Sequence, residues 1–108
     1  MIYEQRLYHA MPGRLPDLLK RFAEVTVPIW HRLGIRPFAF WTFEIGGSNH
    51  DLLYMLAWES MAEREQKWPL FLADAEWQAK RAESERNGEL VKSIHNAFLK
   101  PTAFSAVK

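Results

Sequence analysis

The spacing of apolar residues switches between two and about 3.6 along the chain, and no other feature restricts the fold as strongly. Residues 1–10 alternate, with Ile2, Glu4, Arg6 and Tyr8 on one side and Tyr3, Gln5, Leu7 and His9 on the other. Pro12-Gly13 ends that strand in a turn. From Leu15 the steps become three and four, through Leu18, Leu19, Phe22, Val25, Ile29 and Leu33, which predicts a helix over 15–33. Pro28 removes a donor to the carbonyl of Glu24, so a bend is expected in its last turn, and Gly34 supplies the exit. Two runs rich in aromatic and aliphatic residues, Arg36 to Ile45 and Leu52 to Trp58, flank Gly46-Gly47-Ser48-Asn49 and read as a β-hairpin. Ser60 and Glu63 form a capping box that starts a second helix, which Trp68-Pro69 should break and Asp74 should restart. Leu90 to Leu99 is the last strand, and Lys100-Pro101 ends it.

The order β-α-β-β-α-β is that of an α+β, ferredoxin-like domain, with a four-stranded antiparallel sheet and two helices on one face. One domain over residues 1–108 is expected from the length. If the helices cover Tyr3, Leu7, Leu53, Met55 and Ala57, the open face carries Ile2, Glu4, Arg6, Tyr8, Leu52, Tyr54, Leu56 and Trp58. Such a face is too apolar for water, and a two-fold copy is its simplest cover, closing a dimeric α/β barrel around a polar and aromatic interior. Five Trp, seven Phe and three Tyr are more ring surface than so small a core hides, which adds to the expectation of an interface or a pocket.

Fourteen Lys and Arg against thirteen Asp and Glu leave a net charge of +1, too little to steer the chain to nucleic acid. No cysteine is present, so disulfides, thiolate metal sites and a cysteine nucleophile are excluded, and a reducing, cytoplasmic setting is expected. Glu4 and Arg6 interrupt the first residues where a signal peptide is apolar, and no apolar run reaches membrane-spanning length, so neither secretion nor membrane insertion is expected.

An ordered set of short motifs resembles the NIPSNAP family of the dimeric α/β-barrel superfamily over nearly the whole chain. It comprises Ile2-Tyr3-Glu4 with Arg6 and Tyr8, Pro12-Gly13, Gly34-Ile35 with Pro37, and Trp41-Thr42 with Glu44-Ile45-Gly46. It continues through Ala57-Trp58-Glu59-Ser60 with Ala62-Glu63-Arg64-Glu65, Glu76-Trp77-Gln78, and Leu99-Lys100-Pro101-Thr102 with Phe104-Ser105. Gln5 departs from an apolar family position, and Tyr54 stands where many relatives carry His, so histidine chemistry at 54 is closed to this chain. The resemblance implies a dimeric ferredoxin-like barrel without an agreed activity. The family's animal members are linked to mitochondria and vesicle trafficking. Relatives in the wider superfamily include cofactor-free monooxygenases and haem-handling proteins, an analogy of fold alone.

Glu4 and Arg6 lie two apart on one strand face, where an ion pair can orient a polar ligand or simply fill a barrel as a salt bridge. Tyr8, Tyr54 and Trp58 share that face and are either the wall of a pocket for a flat apolar ligand or interface packing. These five are the candidate ligand-binding residues. The histidines His9, His31, His50 and His95 show no pairing that puts two ligands on one helix face, so no metal and no cofactor is expected, although His9 and His95 fall on neighbouring strands. Ser48 and Ser60 read as turn and cap residues, not nucleophiles. Glu63, Arg64, Glu65 and Lys67, then Lys80, Arg81, Glu83, Glu85 and Arg86, read as a solvated helical surface. Trp68, Phe71, Leu72 and Trp77 read as anchors of the broken helix. Two functions follow. One is a homodimer that binds a small apolar or amphipathic ligand, or a protein partner, through its barrel. The other is a cofactor-independent monooxygenase or isomerase acting on an aromatic or polyketide-like substrate in the cavity.

Overall fold

Strand β1 (Ile2–Ala10) is central, paired antiparallel on one side with β3 (Asp51–Trp58) and on the other with β4 (Val91–Leu99), in the computed structural model of residues 1–108. The hairpin partner β2 (Arg36–Thr42) completes an antiparallel sheet of order β2-β3-β1-β4. Helices cross one face of it, so the chain is the α+β, ferredoxin-like fold that its periodicity indicates.

The first helical segment runs unbroken from 15 to 33, but in three pieces: α1 (Leu15–Arg21), a π-helical turn (Phe22–Thr26) and α2 (Val27–Leu33). The Val27 amide bonds to the carbonyl of Phe22, five residues back. The distortion expected around Pro28 therefore falls one turn earlier, where the widened ring accommodates the proline and leaves it in the first turn of α2. Gly34 closes α2 at φ +75°, and its carbonyl accepts from Lys67 Nζ at 2.8 Å.

Ser60 Oγ accepts from the Glu63 amide at 3.2 Å and starts α3 (Met61–Leu72), but the Glu63 carboxylate takes the Glu59 amide, not that of Ser60. Pro69 does not break α3. The carbonyl it leaves without a donor is that of Glu65, and both residues lie on the solvent side, where water can serve. The break comes at Ala73 instead, after which Asp74 accepts from the Trp77 amide and caps α4 (Ala75–Ser84). Strand β2 stops at Thr42, three residues short of Ile45, and skips one residue, Phe38, in its pairing with β3.

One expectation is reversed. The helices cover Glu4, Arg6, Tyr8, Leu52, Tyr54, Leu56 and Trp58, which pack against Leu18, Phe22, Ile29, Trp30, Trp68 and Phe71. The open face carries Gln5, Leu7, Leu53 and Met55, with Tyr3 and Ala57. Glu4 and Arg6 are charged residues on the covered face, where burial is ordinarily unfavourable. They are tolerated inside because they neutralise each other, as the hydrogen bonds below show. None of the five candidate residues therefore lies on the open face. Trp58 in particular is fully buried within its own chain, so replacing it would test stability and not association. Trp58→Ala should cost about 3–5 kcal/mol of folding free energy, measured by urea denaturation.

Candidate functional site

The Glu4 carboxylate is fully buried and sits at the centre of a polar cluster that joins three strands and a helix. It accepts from Arg6 Nη1 at 2.8 Å on its own strand, from Trp58 Nε1 at 3.2 Å on β3, and from Asn96 Nδ2 at 3.1 Å on β4. Arg64 of α3 adds Nε at 3.3 Å and Nη2 at 3.4 Å. Burial pushes the Glu4 carboxyl up, but the hydrogen bonds from Asn96, Arg6 and Arg64 outweigh it and hold the group below the usual carboxylate range. One carboxylate faces two guanidinium groups, so the cluster carries a surplus positive charge. Trp68 spreads part of it, with the Arg6 guanidinium 4.6 Å and the Arg64 guanidinium 5.1 Å from its ring centre.

Arg6 also donates through Nε to the Tyr54 hydroxyl at 2.7 Å and through Nη2 to the Tyr8 hydroxyl at 3.3 Å, and the two hydroxyls lie 2.9 Å apart. Burial opposes the Arg6 charge, but the facing Tyr54 and Tyr8 oxygens and Glu4 raise its affinity for the proton further. For Tyr54, burial above all and then Tyr8 push the phenol well up, beyond what Arg6 can offset, so it keeps its proton. That proton has one place to go. Tyr54 is fully enclosed and its oxygen already accepts from Arg6, so it donates to Tyr8. The Tyr8 oxygen thus accepts twice, and its own O–H is left free to point elsewhere.

Tyr8 and Arg6 border a cavity of about 270 Å³ between the sheet and the helices. Its walls include Arg21 of α1, Phe22 and Thr26 of the π turn, Trp30 of α2, Trp68 and Phe71 of α3, and Trp77 of α4, with Arg81, Glu85 and Glu89 as further charged members. Wide helical turns recur at functional sites because the extra residue turns a side chain out of its helical position. Three buried polar atoms lack any partner, Arg21 Nε, Thr26 Oγ1 and Trp30 Nε1, and all belong to residues of this wall. A pocket of rings with unsatisfied donors can hold a single flat ring that carries acceptor oxygens. A more open groove of about 520 Å³ lies along α1 and α4, but its charged lining has only Val25 and Leu90 as apolar members.

The five residues singled out in the sequence do assemble. Glu4, Arg6, Tyr8, Tyr54 and Trp58 form one hydrogen-bonded unit, but only Arg6 and Tyr8 reach the cavity; Tyr54 and Trp58 support them. Arg64, assigned to the solvated surface, turns inward to Glu4. Asn96 was missed, although an amide in a strand of apolar neighbours is a signal in itself. Nothing in the sequence marks Thr26 or Arg21. His9 and His95 do approach, with ring centres 5.2 Å apart, and His9 Nδ1 lies 2.5 Å from Asp51. No group of three or more His, Asp or Glu is arranged to hold a metal ion, and no helix is long and apolar enough to cross a membrane.

The family model NIPSNAP matches residues 3–106. Among solved structures, an uncharacterised NIPSNAP domain protein from Burkholderia xenovorans is 25% identical, with a TM-score of 0.81 over 97% of this chain and 98% of that one. A NIPSNAP family protein from Agrobacterium tumefaciens is also 25% identical, at TM-score 0.85 over 99% and 98% of the two chains. An antibiotic biosynthesis monooxygenase is similar in fold alone, with 11% identity and TM-score 0.62 over 94% of this chain and 99% of that one. Among curated proteins nothing matches.

The lowered Glu4 group has a consequence in acid. Its ionised form stabilises the fold above the ordinary carboxylate range, and that contribution is lost as pH falls through its depressed value. Glu4→Gln should cost about 3 kcal/mol near neutral pH, and the difference from the wild type should shrink as pH is lowered, in urea denaturation across a pH series.

Proposed function

The chain belongs to the NIPSNAP family, and from that premise we propose that it is a homodimeric binding protein whose ligand enters the cavity under the helices, not the space between subunits. The ligand is a small apolar or amphipathic molecule, one aromatic ring in size, bearing a carbonyl or carboxylate oxygen. One observation carries this reading: the Glu4–Arg6–Tyr54–Tyr8 chain of hydrogen bonds ends in a Tyr8 O–H with no acceptor inside the protein. A cavity of about 270 Å³ lies near the lower end of ligand sites, which favours a single ring over a larger polyketide. The surplus guanidinium charge around Glu4 favours an anionic headgroup.

The dimer is proposed on the open sheet face. There Phe38, Trp41 and Leu99 are 46%, 44% and 40% exposed beside half-exposed Leu7, Leu53 and Met55, an apolar surface that a two-fold copy would cover. A protein partner could take the same face, and a cysteine-free chain suits the reducing cytoplasm. A second reading, a cofactor-independent monooxygenase or isomerase, is favoured by the same Tyr8 hydroxyl. A donor fixed by a buried relay can stabilise charge developing on a bound carbonyl oxygen. Oxygen consumption or isomer formation with monocyclic aromatic ketones would support it over binding alone.

Trp30, Trp68 and Trp77 line the cavity, so binding of a panel of aromatic carboxylates should change tryptophan fluorescence. Tyr8→Phe should weaken that binding about tenfold; the benzene ring keeps the packing, while the Tyr54 O–H loses its acceptor, so a stability loss of about 1–3 kcal/mol is expected in urea denaturation with the fold retained. A panel without any response would count against the cavity. Light scattering at micromolar concentration should report two chains for the wild type and one for Leu7→Asp, because a carboxylate would be buried unpaired in the interface. A wild-type monomer would remove the dimer.

A further inference from the structure

A second row of side chains lies at the other side of the sheet, on the open face. His9 of β1 is the register partner of Asp51 on β3 and of Ser93 on β4, so Asp51, His9 and Ser93 stand side by side across three strands. The Asp51 side chain is 6% exposed and its carboxylate has one hydrogen-bond partner, His9 Nδ1 at 2.5 Å. A carboxylate oxygen accepts, so the contact puts a proton on Nδ1, and in the neutral ring it is then Nε2 that carries the lone pair. The His9 side chain is 33% exposed in the single chain, one row beyond the Leu7 and Leu53 pair of the face proposed for the copy, which leaves Nε2 within reach of solvent at that end of the sheet.

The pairing of β1 with β4 slips at this row. His9 pairs with Ser93 and Ala10 with Val91, so Lys92 is an extra residue without a partner. In regular alternation Lys92 would point away from Ser93. The bulge brings both to one cavity of about 320 Å³, shared with His9, Asp51, Ser48 and His50. Bulges are a common device for turning a side chain toward a site.

We propose that this row is a second ligand site, separate from the cavity under the helices, that takes a small hydroxylated carboxylate. The ligand hydroxyl donates to His9 Nε2, and its carboxylate pairs with the Lys92 ammonium. Ser48 and Ser93 offer further hydroxyls to the same space. The titratable or charged groups that face His9 are Asp51 on β3, His95 and Lys92 on β4, and His50 on the loop before β3.

Malate and succinate, which differ by one hydroxyl, are the probes, followed by ¹⁵N NMR of the full chain. Free protein should show His9 as the Nδ1–H tautomer. Malate should shift the His9 Nε2 resonance and the Lys92 and Ser93 amides, with succinate binding about tenfold more weakly. Lys92→Met, at an exposed position, should weaken malate about tenfold without altering the fold. An Nε2–H tautomer, equal binding of the two acids, an unaffected Lys92→Met variant or no response at His9 would each overturn the proposal. Neither probe carries an aromatic ring, so failure here leaves the helix-side cavity untouched.

Discussion

The pairing of Glu4 with Arg6 is the constraint on which the rest of this small structure depends. A carboxylate and a guanidinium from a single strand are folded under the helices, where each alone would carry a desolvation penalty of several kcal/mol. Their presence obliges the surroundings to supply partners. Trp58 and Asn96 are drawn from the two strands that flank β1, and Arg64 from α3, so one buried carboxylate registers the sheet and fixes a helix on it. Apolar packing alone would stabilise the layers without specifying that alignment.

The order of strands and helices was legible because it rests on period, which survives any detail of packing. Which face of the sheet meets the helices was not. In β1 and β3 both faces mix large apolar residues with polar or charged ones, Glu4 and Arg6 on one and Gln5, His9 and Asp51 on the other, so alternation alone does not mark the buried face. The decisive fact, that Glu4 and Arg6 satisfy each other along with Tyr54 and Trp58, depends on atoms from a strand about fifty residues away. Likewise Arg64 sits among Glu63, Glu65 and Lys67 and is indistinguishable from them by sequence, yet it alone among these reaches Glu4. The five candidate residues come together in space for a simple reason. Strand alternation puts residues on a common face whichever face that turns out to be.

The same alternation explains why the Asp51–His9–Ser93 row escaped notice. Its members come from three strands separated by some forty residues each, and only the register aligns them. Lys92 is harder still, because a bulge breaks the very rule by which its direction would be inferred. The protein thus carries polar groups on both faces of one sheet, held apart by β1, whose odd and even side chains serve different neighbours.

The π turn at Phe22–Thr26 ties the helix-side cavity to the counting of residues. A π turn holds one residue more than an α turn, so every side chain after it is rotated by about 100° relative to an unbroken helix. Trp30, whose ring packs on Phe22, Phe40 and Tyr54, faces the sheet by virtue of that rotation. A relative shorter by a single residue here would rewind to a regular helix and swing this tryptophan aside. One wall of the cavity is in that sense the trace of one surplus residue, a feature of chain length more than of side-chain chemistry.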